Sequence, residues 1–118
     1  MKEQKHYLGE FEELVLLAVY VLKGDGYGTT IRNILEDATG RSISVGALYA
    51  TLDRLERKGF VRSWQGEATA ERGGRAKRYF QIEPSGRNAL KEAENVRRQI
   101  IPKLPLARGI RRYWKYGK

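Results

Sequence analysis

The chain has 118 residues, 41% of them hydrophobic, which is the size of one ordinary domain with a single modest core. It contains no cysteine, and this excludes a disulfide framework, a thiolate metal site and a cysteine nucleophile. The formal net charge of +9 is unevenly distributed, with −3 in residues 1–40, +5 in residues 41–80 and +7 in residues 81–118. Such clustering of basic residues is typical of proteins that bind nucleic acid or another anionic surface.

Nothing in the sequence indicates a membrane-spanning or exported protein. The longest apolar run, Leu14 to Leu22, has nine residues, whereas a membrane-spanning helix needs about 20. The N-terminus leads into Glu10, Glu12 and Glu13 rather than into an apolar signal core. We therefore expect a cytoplasmic protein without a membrane partner.

Motifs for catalysis and metal binding are also missing. His6 is the only histidine, and it lies near a chain end with no second histidine to share a metal. The sequence has no glycine-rich phosphate loop followed by Lys-Ser or Lys-Thr, and no paired-carboxylate motif. We expect no enzymatic activity, no metal site and no cofactor.

Three segments predict helices before residue 60. The first runs from Phe11 to Leu22, is apolar on two faces and is stopped by the segment Lys23-Gly24-Asp25-Gly26. The second has one apolar stripe and ends at Gly40; the stripe consists of Ile31, Ile34, Leu35 and Ala38. The third begins with Ser44 as its cap and runs to Lys58. Its core-facing residues are Leu48, Leu52 and Leu55, which leaves the opposite face free.

Two segments after the third helix predict a β-hairpin. Residues 60–64 and 77–82 are rich in aromatic and β-branched side chains and partly alternate. The polar loop between them, Gln65 to Ala76, carries two glycines flanked by Arg72 and Arg75. Glycines permit a tight tip, and the arginines are long enough to touch a phosphate or the minor groove of DNA.

A fourth helix follows the hairpin, with Ser85 as its expected cap. Pro102 removes a backbone donor, so the helix should end near Ile101. Its apolar residues recur at coiled-coil-like spacing, which is typical of a helix that pairs with another. This seam consists of Ala89, Ala93, Val96 and Ile100.

The order of these elements predicts a mainly α fold with a two-stranded β wing (α+β), that is, a winged helix-turn-helix. We divide the chain into a winged-helix DNA-binding domain (1–83), a C-terminal dimerisation helix (84–101) and a basic tail (102–118). The tail is aromatic as well as basic. It is either disordered or able to stack on nucleic acid or contact lipid.

Three stretches resemble the PadR family of transcriptional regulators: residues 8–18, Tyr27-Gly28, and residues 44–56. The run Arg72 to Phe80 and the later Gly86 resemble the wing of that family and its exit. The resemblance covers about residues 7–95 in unbroken order. Glu83 stands where the family often has Thr, the pairing helix is short for a dimer arm, and the tail has no counterpart in the family.

This resemblance implies a homodimeric winged-helix repressor that binds double-stranded DNA at a pseudo-palindromic operator. It also implies release by a small aromatic or cationic effector in or near the dimer interface, at residues the sequence does not identify. In the family, the first and the C-terminal helices make the dimer contacts. The expected interface residues are Phe11, Leu14, Val15, Ala18, Ala89, Ala93, Val96 and Ile100.

The expected DNA contacts lie on the third helix, the wing and the start of the second helix. They are Tyr27, Ser44, Val45, Gly46, Ala47, Tyr49, Ala50, Arg54, Arg72, Arg75 and Lys77. Small residues on the third helix would let its backbone enter the groove deeply and leave room for thymine methyl groups. Tyr49 can donate to a phosphate.

Two other functions remain open at this point. A constitutive RNA- or ribosome-associated winged-helix protein would also explain the basic charge and the tail, and a protein-interaction adaptor is the third alternative. Preference for an inverted repeat supports the dimeric regulator, preference for structured RNA supports the second alternative, and the absence of both supports the third.

Overall fold

The computed structural model describes residues 7–66 and 76–105, which form four α-helices and three β-strands. The helices are α1 (Glu10–Leu22), α2 (Gly28–Thr39), α3 (Val45–Arg57) and α4 (Pro84–Ile100). The strands are β1 (Gly26–Tyr27), β2 (Val61–Gln65) and β3 (Arg78–Ile82), and a short 3-10 turn follows at Ile101–Lys103. This is the predicted order of three helices, a hairpin and a fourth helix. None of the described helices is long and apolar enough to cross a membrane.

The sheet has one strand more than the predicted wing. β3 lies in the centre and pairs antiparallel with β2 and with β1, so the order is β1-β3-β2. Gly26 is opposite Phe80 and Tyr27 is opposite Tyr79. A strand of two residues is too short to show an alternating pattern in the sequence. It forms only because the fold brings it next to β3, which is distant in sequence. The predicted two-stranded wing is confirmed as β2 and β3, and β1 adds a third strand that the sequence did not predict.

The core forms around α1, which contacts α2, α3, α4 and β3. The helix contributes three fully buried side chains: Val15, Leu16 and Val19. They meet the apolar faces of the other elements, which supply Ile31, Leu35, Leu48, Leu52, Leu55 and Phe80. Burying each such side chain contributes about 1.5–3 kcal/mol, so this cluster is the main source of stability.

The connection between α2 and α3 is held by side chains of α2. Arg32 donates from Nε to the carbonyl of Ile43 at 2.8 Å, and the backbone N–H of Ile43 donates to Glu36 at 2.7 Å. One residue later, the Oγ of Ser44 accepts from the backbone N–H of Ala47 at 3.0 Å. The predicted cap of α3 is therefore confirmed, and the start of this helix is fixed relative to α2.

The start of α4 differs from the expectation. Its cap residue is Glu83, whereas the Oγ of Ser85 donates to the carbonyl of Gly59 at 2.6 Å. Ser85 thus ties α4 to the turn after α3. Gly86 is buried against the same turn, where an added Cβ would collide with the carbonyl oxygen of Phe60.

Beyond its first turns, α4 extends away from the core. Ala89 and Leu90 pack against the core, but every residue from Glu94 to Ile100 is exposed. One ion pair joins this stretch to α1, where Arg97 bonds both oxygens of Glu13, and that pairing raises the pKa of Arg97.

A buried carboxylate links α1 to α3. Glu12 is only 7% exposed and accepts from Arg54 Nε at 2.8 Å and from Lys58 Nζ at 3.0 Å to each oxygen. It also accepts from the backbone N–H of Gly9 at 2.7 Å. Burial raises the pKa of Glu12, but the bonds from Gly9, Arg54 and Lys58 outweigh burial and lower the pKa to about 2.

We expect Glu12 to stabilise the fold in a pH-dependent way. Its pKa is lower in the folded state, about 2 against 4.5, so the stabilisation is present above pH 4.5 and lost as the pH falls toward 2. A shift of this size corresponds to about 3 kcal/mol. Urea unfolding should show wild type losing about that much more stability than Glu12→Gln between pH 5 and pH 2. Glu94→Gln, which removes an exposed carboxylate, is the control and should follow the wild-type profile.

We expect Gly86→Ala to lower the free energy of unfolding by about 1–3 kcal/mol, because the new methyl group meets a backbone oxygen that cannot rotate away. Gly46→Ala is the matched control, since a Cβ at this helical glycine meets nothing within 4 Å. The control should leave stability unchanged or raise it by up to about 1 kcal/mol. Equal stability of the two variants in urea would contradict the close packing at Gly86.

Candidate nucleic-acid interface

The first two turns of α3 expose a surface of small side chains. Its exposed members are Ser44, Val45, Gly46, Ala47 and Ala50. The opposite face of the helix is buried through its leucines, so α3 is anchored on one side and open on the other. The major groove of DNA is about 12 Å wide and admits an α-helix. Small residues on the outer face allow close approach of the helix backbone to base edges.

Tyr49, which lies within the same turns, is half-buried rather than displayed. Its ring centroid lies 6.5 Å from that of Phe80, and its hydroxyl packs so closely on Gly28 that a Cβ there would collide with it. Tyr49 therefore holds α3 against the start of α2. The predicted phosphate contact of its hydroxyl stays a prediction.

Three aromatic rings form a row across the outer face of the sheet. Tyr79 lies in the middle, with ring centroids 5.4 Å from Tyr27 and 6.1 Å from Trp64. Cations lie over the outer rings: Lys77 Nζ is 3.6 Å from the centre of the Tyr27 ring, and the guanidinium of Arg62 is 5.1 Å from Trp64. These contacts bring two predicted DNA-binding residues, Tyr27 and Lys77, together at the base of the wing.

The wing itself is described only at its base. The backbone N–H of Gly66 donates to the carbonyl of Lys77 at 2.7 Å, which extends the hairpin by one pair. The predicted contacts Arg72 and Arg75 lie outside the described residues. Their role stays a prediction.

Arg54 differs from a free DNA contact because its charge is paired. It lies on the exposed stripe of α3 that also carries Ala47 and Ala50, but its Nε bonds Glu12. The pairing partner is 42 residues away in sequence, so no local pattern indicates it. Arg57 is exposed on the same stripe. Arg57 is not among the predicted contacts, although its helical spacing from Ala50 and Arg54 is the signal that indicates it.

A second ion-pair network joins α3 to the wing. Arg78 of β3 pairs with Asp53 at 3.1 Å and with Glu56 at 2.7 Å. Ser63 of β2 donates to both oxygens of Glu56 at 3.0 Å. The wing strands are therefore fixed relative to α3.

The expected dimer contacts fall into two groups. Val15 and Ala18 are at most 2% exposed and pack in the core of their own chain, so the expectation that they contact a partner is corrected. Phe11, Leu14, Ala89 and Ala93 are half-buried, and Val96 and Ile100 are exposed. On α1 the apolar residues open to a partner are instead Leu17, Tyr20 and Val21, at 40%, 46% and 65% exposure.

A groove of about 450 Å³ lies between the start of α1 and α4. Leu8, Phe60 and Val96 contribute apolar walls, and Glu13 and Glu92 contribute carboxylates. Within residues 7–66 and 76–105, no group of three histidine, aspartate or glutamate side chains is placed to hold a metal ion.

Comparison with solved structures places the fold among known regulators. A PadR-like transcription factor from Bacteroides fragilis has 22% identity and a TM-score of 0.66, with 76% of this chain and 82% of that chain covered. A transcriptional regulator from Clostridium thermocellum has 24% identity and a TM-score of 0.60, with coverage of 80% and 92%. A PadR-like regulator from Bacillus cereus has 19% identity and a TM-score of 0.62, with coverage of 76% and 82%. At these identities the similarity shows the fold alone.

The family is shown by the sequence. No curated protein matches the chain significantly. The family described as transcriptional regulator PadR-like matches residues 16–92, more than half of the chain, and this range includes α2, α3 and the wing. The chain therefore belongs to the PadR-like family, and it is a DNA-binding transcription regulator rather than an enzyme.

Proposed function

We propose that the protein is a homodimeric repressor that binds a pseudo-palindromic DNA operator, with one α3 helix in the major groove of each half-site, and that a small molecule releases it. The observation that carries this proposal is the form of α3, which is anchored by buried leucines and exposes small residues in its first two turns. Such a helix can read base edges while the wing contacts the backbone.

Dimerisation is supported by uncovered apolar side chains on two neighbouring helices. On α1 these are Leu17, Tyr20 and Val21, and on α4 they are Val96 and Ile100, at 47% and 57% exposure. No residue from Glu94 to Ile100 is buried by its own chain, and helices of this kind are stabilised by packing an apolar seam against a partner. Two subunits would then present two α3 helices to DNA about 34 Å apart.

Release by an effector is supported by the groove between α1 and α4. A volume of about 450 Å³ is in the usual range for small-molecule sites. The walls are apolar and aromatic, which suits an aromatic ligand. Glu92 adds a carboxylate that a positive charge on the ligand could approach, whereas the carboxylate of Glu13 is already paired with Arg97, which also lines the groove. A ligand seated there touches the helix that the proposed dimer uses, so it can change the spacing of the two α3 helices.

Selection of duplexes from a random pool at physiological salt tests the DNA proposal. We expect enrichment of an inverted repeat with fixed spacing, bound roughly 10³-fold or more tightly than random DNA. Ala47→Glu should remove most of this preference, because a carboxylate in the groove repels phosphates and cannot fit thymine methyl groups. Asn33→Glu adds the same charge on an exposed part of α2 and is the control. Failure to enrich any repeat would contradict the proposal and favour the RNA-associated or adaptor function.

The direction of regulation is tested with the selected duplex placed at a promoter. We expect the protein to reduce transcription in vitro, and an aromatic cation that binds the protein to restore it. Activation by the protein would contradict the repressor assignment without affecting the DNA-binding result.

Sedimentation at micromolar concentration tests the dimer. Wild type should sediment as a dimer, whereas Ile100→Glu should shift the equilibrium toward monomer, because it places a charge on the apolar seam. Gln99→Glu introduces the same group at the adjacent exposed position and should remain dimeric. A monomeric wild type, or equal behaviour of the two variants, would contradict the proposed interface.

A further inference from the structure

Two cations beside the exposed stripe of α3 are bound by a residue of α1. Arg54 lies on the stripe, and Lys58 follows the end of the helix. Both are ion-paired to the carboxylate of Glu12, at 2.8 Å and 3.0 Å. Lys58 also donates to the carbonyl of Tyr7 at 3.3 Å. The carboxylate is nine-tenths buried, so it is a fixed part of the domain rather than a mobile surface group.

The chemistry of these pairs is the chemistry of a phosphate contact. A guanidinium or ammonium group donates to an anionic oxygen in the same way whether the oxygen belongs to a carboxylate or to a DNA phosphate. Glu12 therefore occupies the position of a phosphate with respect to Arg54 and Lys58. Lys58, at 21% exposure, would have to leave a desolvated oxygen to bind DNA, which is costly. Arg54 bonds Glu12 through Nε and is 45% exposed, but its charge is already paired with a carboxylate, so a phosphate contact would add less affinity.

We propose that Glu12 is a specificity-determining residue that withholds Arg54 and Lys58 from DNA phosphates and so keeps binding to random DNA weak. Phosphate contacts add affinity for every duplex but carry no base information. A regulator that neutralises cations beside its reading surface gives up general affinity and raises the ratio of operator to random binding. The inference rests on the proposed placement of α3 in the major groove.

Arg57 provides the contrast on the same helix. It is exposed, and no described carboxylate forms an ion pair with it. Its charge is therefore available to a phosphate, whereas the charge of Arg54, one turn earlier, is already paired with Glu12. The two arginines should contribute differently to the salt dependence of binding.

The test is the dependence of affinity for a random duplex on salt concentration. Each phosphate contact contributes about 0.9 to the slope of log affinity against log salt. Glu12→Gln keeps the side-chain shape but removes the charge, so it should steepen the slope by about 0.9 to 1.8. If one contact is added, lowering the salt concentration from 1 M to 0.1 M should raise the affinity of the variant about eightfold more than it raises the affinity of wild type. The ratio of operator to random affinity should fall.

Glu94→Gln is the matched control, because it releases Arg98 on α4 with the same change in net charge. It should leave the slope unchanged. The double variant Glu12→Gln/Arg54→Ala should lose the part of the added slope that Arg54 supplies. Equal slopes for wild type and Glu12→Gln would overturn the inference.

Single replacements in the wild-type background test the inference without altering Glu12. Arg54→Ala should leave the slope unchanged, whereas Arg57→Ala should reduce it by up to about 0.9. A slope reduced by that amount in Arg54→Ala would overturn the inference even if Glu12→Gln failed to fold. A different result would contradict the proposed function: wild type that shows no preference for the operator, or an Ala47→Glu variant that keeps this preference.

Discussion

Ion pairs hold the C-terminal half of α3 in place, whereas its N-terminal half is exposed. The position of the whole candidate interface depends on these ion pairs. On one side Glu12 of α1 pairs with Arg54, and on the other Arg78 of β3 pairs with Asp53 and Glu56. The buried leucines of α3 close the remaining face. Because α3 and the described strands of the wing are fixed to one frame, ordering them relative to each other costs little entropy on binding.

The uneven distribution of charge along the chain matters for contacts within the protein as well as for binding an anionic partner. Acidic residues of the first helix do not simply balance the basic surface. Glu12 is paired with cations of the third helix region, and Glu13 with Arg97 of α4. The first turn of α1 is therefore the point at which α3 and the C-terminal helix α4 are both attached by ion pairs. The net charge alone does not show that these cations are already paired within the chain.

Features set by neighbouring residues could be predicted from the sequence, and features set by distant ones could not. The cap at Ser44 depends on a bond within one helical turn, and its residue pattern indicates it. The strand Gly26–Tyr27, the bond from Ser85 to Gly59 and the pairing of Arg54 all need a partner brought close by the fold. The assignment of Val15 to a partner failed for a related reason: on a helix apolar on two faces, composition does not show which face the chain itself covers.

The separation of α4 from the core has an evolutionary consequence. After Ala93 every residue up to Ile100 is exposed and one ion pair joins the helix to α1, so substitutions in its second half disturb little of the packed core. Selection can therefore act on α4 and on the exposed face of α3 as two separate modules. In the proposed dimer, lineages could change the distance between two subunits without repacking the core, and could alter the exposed residues of α3 without disturbing assembly.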